Sequence, residues 1–116
     1  MRIEPDQKYS EIPCSYASLY IAMDVFRKTD PKPVVPDGTS YLTLDAADRL
    51  FKKYFPRARR YYYNKDNRVI LNLFLQTNNQ KVIICIKGHY LFADGRNYYS
   101  FFDNNLDEII GIWYLQ

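Results

Sequence analysis

The chain contains little histidine, cysteine or glycine, and each scarcity excludes a class of protein. Its 116 residues include one histidine, two cysteines and four glycines. One histidine excludes metal sites that need two or three imidazoles, and two cysteines cannot build a disulfide-stapled miniprotein. The four glycines are scattered, so there is no glycine-rich phosphate-binding loop. The sequence therefore predicts neither a metal nor another cofactor.

Long apolar runs and a strong charge of one sign are also lacking. No run approaches the roughly 20 apolar residues of a membrane-spanning helix. The first 14 residues contain acids and proline where a signal peptide would be apolar. We therefore expect no membrane span and a location in the cytoplasm, or export without a classical signal peptide; the chain could also be one domain of a longer protein. A formal net charge of +3 does not favour a dedicated nucleic-acid binder.

Apolar and aromatic residues, by contrast, are plentiful. Apolar residues make up 47% of the chain and aromatic residues 17%, with 12 Tyr, 7 Phe and 1 Trp, so wholesale disorder is excluded. This length suits one hydrophobic core, which predicts a single domain over residues 1–116.

Hydrophobic periodicity divides the chain into a helical half and a strand-rich half. The segment 14–28 is apolar on most sides, which is typical of a buried central helix. Further helices are predicted at about 43–55 and 67–76, and strands at 61–63, 81–87, 89–94, 96–102 and 109–115. This layout predicts an α+β fold, with a helical part over about 14–77 packed on an antiparallel sheet over about 81–116.

Three residues with reactive or ionisable side chains fall at the ends of predicted elements. Cys14 begins the central helix, where free N–H groups and the helix dipole lower the pKa of a thiol. His89 follows a strand and a glycine, and Asp103 lies one hairpin later. Pairing across the hairpin would bring Asp103, or Asn104 beside it, close enough to orient the imidazole. Each also has a simpler interpretation: a small core thiol, a hydrogen-bonded histidine at a strand end, and a turn aspartate.

The order of these motifs resembles the papain-like cysteine peptidases. Within them it is most similar to the small bacterial peptidases that trim double-glycine leaders from bacteriocin precursors, and to their stand-alone relatives. The matching segments are PCSYASLYIAM for the nucleophile helix, KVIICIKGHYLFADG for the histidine strand and NYYSFFDNN for the acid. The resemblance covers most of the chain and implies a papain-like fold.

The resemblance also implies roles for individual residues. Cys14 would be the nucleophile, His89 the general base and later acid, and Asp103 the residue that orients His89, with Asn104 as an alternative. The Cys14 backbone N–H would be one oxyanion donor. The family's second donor is a glutamine six residues before the cysteine; here that position is Lys8, and Gln7 is the candidate.

Two function hypotheses follow. The first is a thiol hydrolase that cleaves a peptide or amide bond in a peptide or protein substrate, as a processing peptidase or as a toxin or effector. The second is a catalytically inactive papain-like binding module. The module would use a basic-aromatic segment formed by Lys52, Lys53, Arg57, Arg59, Arg60 and Tyr61–Tyr63. That segment could also stack on single-stranded nucleic acid, but the small net charge makes nucleic acid the less favoured partner.

Overall fold

A six-stranded sheet and three α-helices make up the computed structural model, which describes all of residues 1–116. In chain order the elements are β1 (Arg2–Ile3), a 3-10 turn (Gln7–Tyr9), α1 (Cys14–Val25), α2 (Leu44–Tyr54), β2 (Arg59–Tyr62), α3 (Leu71–Thr77), β3 (Lys81–Ile86), β4 (His89–Asp94), β5 (Asn97–Tyr99) and β6 (Ile109–Tyr114). The predicted α+β class is confirmed. None of the helices has the length and apolar content needed to cross a membrane.

The sheet is mixed, where the sequence predicted a purely antiparallel one. Its strand order is β1-β5-β4-β3-β6-β2, and every pair is antiparallel except β1 with β5. Strands β1 and β2 precede the region 81–116 in the chain, so the predicted sheet gains two edge strands. The β3–β4 hairpin turns at Gly88, whose φ of 71° lies in the left-handed region that glycine adopts readily. This turn makes His89 the first residue of β4.

The two faces of the sheet carry separate hydrophobic cores. Side chains alternate along β3, so that Ile83 and Cys85 join the core of α1 and α2. Val82, Ile84 and Ile86 join the core beneath α3. Each of these five side chains is almost completely buried, and burial of an isoleucine or valine stabilises the fold by about 1.5–3 kcal/mol. β3 is therefore a central strand that is buried on both faces of the sheet.

Helix α1 packs on β4 and β3 and carries Cys14 at its first position. Its N-cap is Pro13, so no capping side chain accepts from the first backbone N–H groups of the helix. The helix ends at Val25, three residues before the predicted end. Arg27 adopts a φ of 55° and the Lys28 N–H donates to the Met23 carbonyl at 2.9 Å, which is a Schellman closure without glycine.

Candidate active site

A cavity of about 170 Å³ lies between α1, the start of β4 and the segment that follows β5. Most of its lining is hydrophobic and includes Ile12, Ile21 and Phe101. Cys14 and His89 both line it. The fold thus exposes one thiol and the chain's single imidazole to the same small apolar space.

The Cys14 thiol is held against the backbone beside His89. Its Sγ accepts a hydrogen bond from the Tyr90 N–H at 3.3 Å. Since a Cα and the next nitrogen are two bonds apart, Sγ lies within about 6 Å of the His89 Cα. No hydrogen bond joins the thiol directly to the His89 ring, although both side chains line the same cavity.

The predicted lowering of the Cys14 pKa is wrong in its net direction. Burial raises the pKa of the thiol, and this is the largest effect. The backbone N–H groups of Tyr90, Ser15 and Cys14 itself lower the pKa, as expected at a helix N-terminus, but they do not outweigh burial. Cys14 is therefore a neutral thiol near pH 7.

His89 is a half-buried, neutral imidazole. Burial lowers its pKa, and the negative charge of Asp107 partly opposes that shift. Its Nε2 lies 3.3 Å from the Ser100 Oγ, and the Phe102 ring packs edge-on against it with centroids 6.0 Å apart. Both contacts come from the segment that follows β5, and they hold the imidazole ring in place.

Ser100 connects His89 to a buried polar chain. The Ser100 hydroxyl donates to Asn104 Oδ1 at 2.6 Å, and the Asn104 amide donates to Asp107 Oδ2 at 2.9 Å. Ser100 and Asn104 are both almost completely buried. The sequence predicts Asn104 as an alternative orienting residue and makes no prediction for Ser100. The available signal was a lone small polar residue within the aromatic run Tyr98–Phe102.

Asp103 does not contact His89, so its predicted position beside the imidazole is corrected. Its Oδ1 accepts from the Asn105 N–H at 3.0 Å and from the Tyr98 hydroxyl at 3.5 Å. The physical reason is that β5 ends at Tyr99 and the chain then bends, so the hairpin pairing does not continue to residue 103. Asp103 is an exposed turn residue, as its simpler interpretation proposed.

Gln7 does not line the cavity either, so its predicted role as oxyanion donor is not supported by its position. It is exposed and its side chain makes no hydrogen bond. The buried member of the 3-10 turn is Tyr9, whose hydroxyl donates to Asp24 at 2.9 Å and whose ring packs against Tyr20. Because Tyr9 occupies the inward position, Gln7 is turned to solvent. The residues of this segment that line the cavity are Pro5, Tyr9 and Ser10.

The second cysteine lies outside the cavity lining. Cys85 is fully buried on β3, its thiol donates to the Ile86 carbonyl at 3.4 Å, and it contacts the Tyr41 hydroxyl at 3.7 Å. Burial raises the pKa of this thiol as well. Cys85 is therefore a packing residue with no opening to the cavity that Cys14 lines.

Several side chains of the basic-aromatic segment contact other residues of the protein. Arg60 donates to Asp48 at 3.0 Å, and Lys52 lies 3.4 Å from the same carboxylate. Tyr62 packs its ring against Trp113 with centroids 5.8 Å apart. Arg59 and Tyr61 remain exposed on the edge strand β2. The segment thus offers a narrower binding surface than its composition suggested.

No protein-family model, curated protein or solved structure matches this chain.

Proposed function

We propose that the chain is a papain-like thiol hydrolase that cleaves a peptide or amide bond, with Cys14 as nucleophile and His89 as base. The observation that carries the proposal is the shared cavity, which Cys14 and His89 line together while the Cys14 thiol bonds the backbone next to His89. The motif order that resembles papain-like peptidases points to the same pair.

The proposed reaction begins with two neutral groups, since burial disfavours the charged form of both. Cys14 sulfur attacks the substrate carbonyl carbon as its proton passes to His89. The carbonyl electrons move onto oxygen, and the backbone N–H of Cys14 donates to that oxyanion. The C–N bond then breaks, His89 returns the proton to the leaving amine, and a thioester remains on Cys14.

Water completes the cycle. His89 removes a proton from the water as it attacks the thioester carbonyl. The C–S bond then breaks, the acyl group leaves as a carboxylic acid, and His89 returns the proton to the Cys14 sulfur. The hydrophobic lining suits a substrate with an apolar side chain next to the reacting carbonyl. A processing peptidase and a toxin or effector would use the same steps and would differ in the protein that they attack.

A peptide fluoromethyl ketone with leucine or phenylalanine next to the reactive group tests this proposal. Intact-mass spectrometry at pH 7 should show one addition to the wild-type chain and to Cys85→Ala, and none to Cys14→Ala. His89→Gln should slow the addition at pH 7 by at least tenfold. The deficit should shrink at pH 10, where a larger fraction of the thiol is ionised without a base than at pH 7. Equal rates for wild type and His89→Gln at pH 7 would refute the role of His89.

One observation favours the second candidate, an inactive binding module. Gln7 is exposed, so the cavity lacks the side-chain oxyanion donor that active relatives of the resembled family have. A binding module predicts that Cys14→Ala binds apolar peptides as tightly as the wild type. It also predicts that no thioester forms when the wild-type chain is acid-quenched with a peptide ester. A trapped acyl adduct on Cys14 would exclude it.

A further inference from the structure

A chain of hydrogen bonds runs from the His89 ring to the surface, and the direction of each bond can be worked out from donor and acceptor chemistry. Its members are His89, Ser100, Asn104 and Asp107, joined by the three contacts of 3.3, 2.6 and 2.9 Å. The inference that follows rests on the proposed function, because it assigns a part to Ser100 in the same site.

The carboxylate of Asp107 determines which group donates and which accepts in each of these hydrogen bonds. A carboxylate oxygen accepts hydrogen bonds, so the Asn104 group that contacts it must be the NH2. The Asn104 carbonyl oxygen therefore points to Ser100 and can only accept. It follows that the Ser100 hydroxyl proton is directed to Asn104.

Ser100 then has no proton left for His89. Its hydroxyl has a single proton and two lone pairs, and one lone pair accepts the Phe102 N–H at 3.1 Å. The remaining lone pair faces His89 Nε2 at 3.3 Å. In neutral His89 the shared proton must therefore be on Nε2, and Nδ1 carries the free lone pair.

We propose that Ser100 is the positioning residue of His89: held by Asn104 and Asp107, it fixes the Nε2–H tautomer and leaves Nδ1 to take the Cys14 proton. Ser100 does this in place of Asp103, which bonds within its own turn. The same chain supports the imidazolium that forms when Cys14 gives up its proton, because Asp107 is the negative charge that acts on His89.

Nitrogen NMR of the chain tests the proposal cleanly, because the protein has only one histidine. With 15N-labelled histidine at a pH where His89 is neutral, the wild type should show protonated Nε2 and unprotonated Nδ1 as a single tautomer. In Ser100→Ala the spectrum should move toward the tautomer mixture of a histidine peptide measured under the same conditions. Ser100→Thr, which keeps the hydroxyl, should restore the wild-type pattern, and Asp103→Asn should leave that pattern unchanged.

The fluoromethyl ketone assay provides a second readout. Loss of one positioning hydrogen bond should slow addition to Cys14 at pH 7 by roughly tenfold in Ser100→Ala, with a smaller deficit at pH 10. A wild-type spectrum with protonated Nδ1, or with the peptide's mixture, overturns the proposal without any variant. A Ser100→Ala spectrum identical to the wild type overturns it too. Absence of Cys14 labelling would instead defeat the proposed function and leave the tautomer assignment standing.

Discussion

The pH at which Cys14 becomes reactive is a direct consequence of its burial. Alkylation by iodoacetamide requires the thiolate. A free cysteine of pKa near 8.5 is about 3% thiolate at pH 7. Because burial raises the pKa of the Cys14 thiol above its ordinary value, Cys14 holds less thiolate than a free cysteine at every pH below that pKa.

The size of the effect follows from the titration. Each pKa unit of increase removes about nine-tenths of the thiolate at neutral pH, so each unit slows alkylation about tenfold. The alkylation rate of Cys14 should therefore still be rising at a pH where that of a cysteine peptide has levelled off. If the backbone N–H groups of the helix N-terminus outweighed burial and lowered the pKa to about 7, half of the thiol would be ionised at pH 7. That fraction is roughly fifteen times larger than in a free cysteine.

The assay is a rate profile from pH 6 to pH 10 with intact-mass detection. Cys85→Ala leaves Cys14 as the only thiol, and Cys14→Ala reports any contribution from buried Cys85. A cysteine peptide in the same buffers supplies the reference midpoint. We compare the pH midpoint of the profile rather than the absolute rate, because restricted access to Cys14 slows alkylation by the same factor at every pH. A Cys14 midpoint below that of the peptide would refute the reasoning, since it would mean that the N–H groups outweigh burial.

Three further predictions concern stability, measured by urea unfolding. Asp48→Leu should destabilise the fold by about 2–4 kcal/mol. The substitution removes the acceptor of the buried Trp113 indole N–H, now bonded at 3.0 Å, and the carboxylate that Arg60 binds. An unchanged urea midpoint would show that water replaces the carboxylate. Arg27→Gly should stabilise the fold by about 0.5–1 kcal/mol, because glycine adopts a φ of 55° without strain. A loss of stability would refute the idea that Arg27 is strained at the end of α1. Thr43→Ala should cost about 1 kcal/mol, since the Thr43 hydroxyl caps α2 by accepting the Ala46 N–H at 3.2 Å, and Thr43→Ser should keep most of that energy.

Local signals predicted most elements of the fold. They did not predict β1, α3 begins at Leu71 where the predicted helix begins at residue 67, and β5 is shorter than the predicted strand 96–102. The predicted helix 43–55 is α2 to within one residue at each end, because Thr43 caps it and Pro56 follows it. The buried strand β3 was evident from its β-branched run, and the Asp-Gly signal marked the β4–β5 hairpin. The end of α1 was missed because its left-handed closing residue is Arg27, and no glycine signals it.

The candidate site was predicted only in part. The starts of α1 and β4 could be read from the chain, and with them the positions of Cys14 and His89. The partner of His89 could not, because it depends on where β5 stops pairing and bends. The sequence does not show whether the aspartate or the asparagine that follows the strand reaches the imidazole. Ser100 has no local signal apart from its polarity.

The scarcity of histidine and cysteine determined, from sequence alone, which residues could form a thiol–imidazole site. Tertiary structure decided which groups they meet and in what charge state. The Cys14 thiol contacts an N–H 76 residues away, and His89 contacts a serine 11 residues away. Periodicity, caps and turns act over a few neighbouring residues, so they can be read from the chain. Hydrogen-bond partners and desolvation arise from distant segments packed together, and for that reason only the fold could assign Ser100 to His89 and a neutral thiol to Cys14.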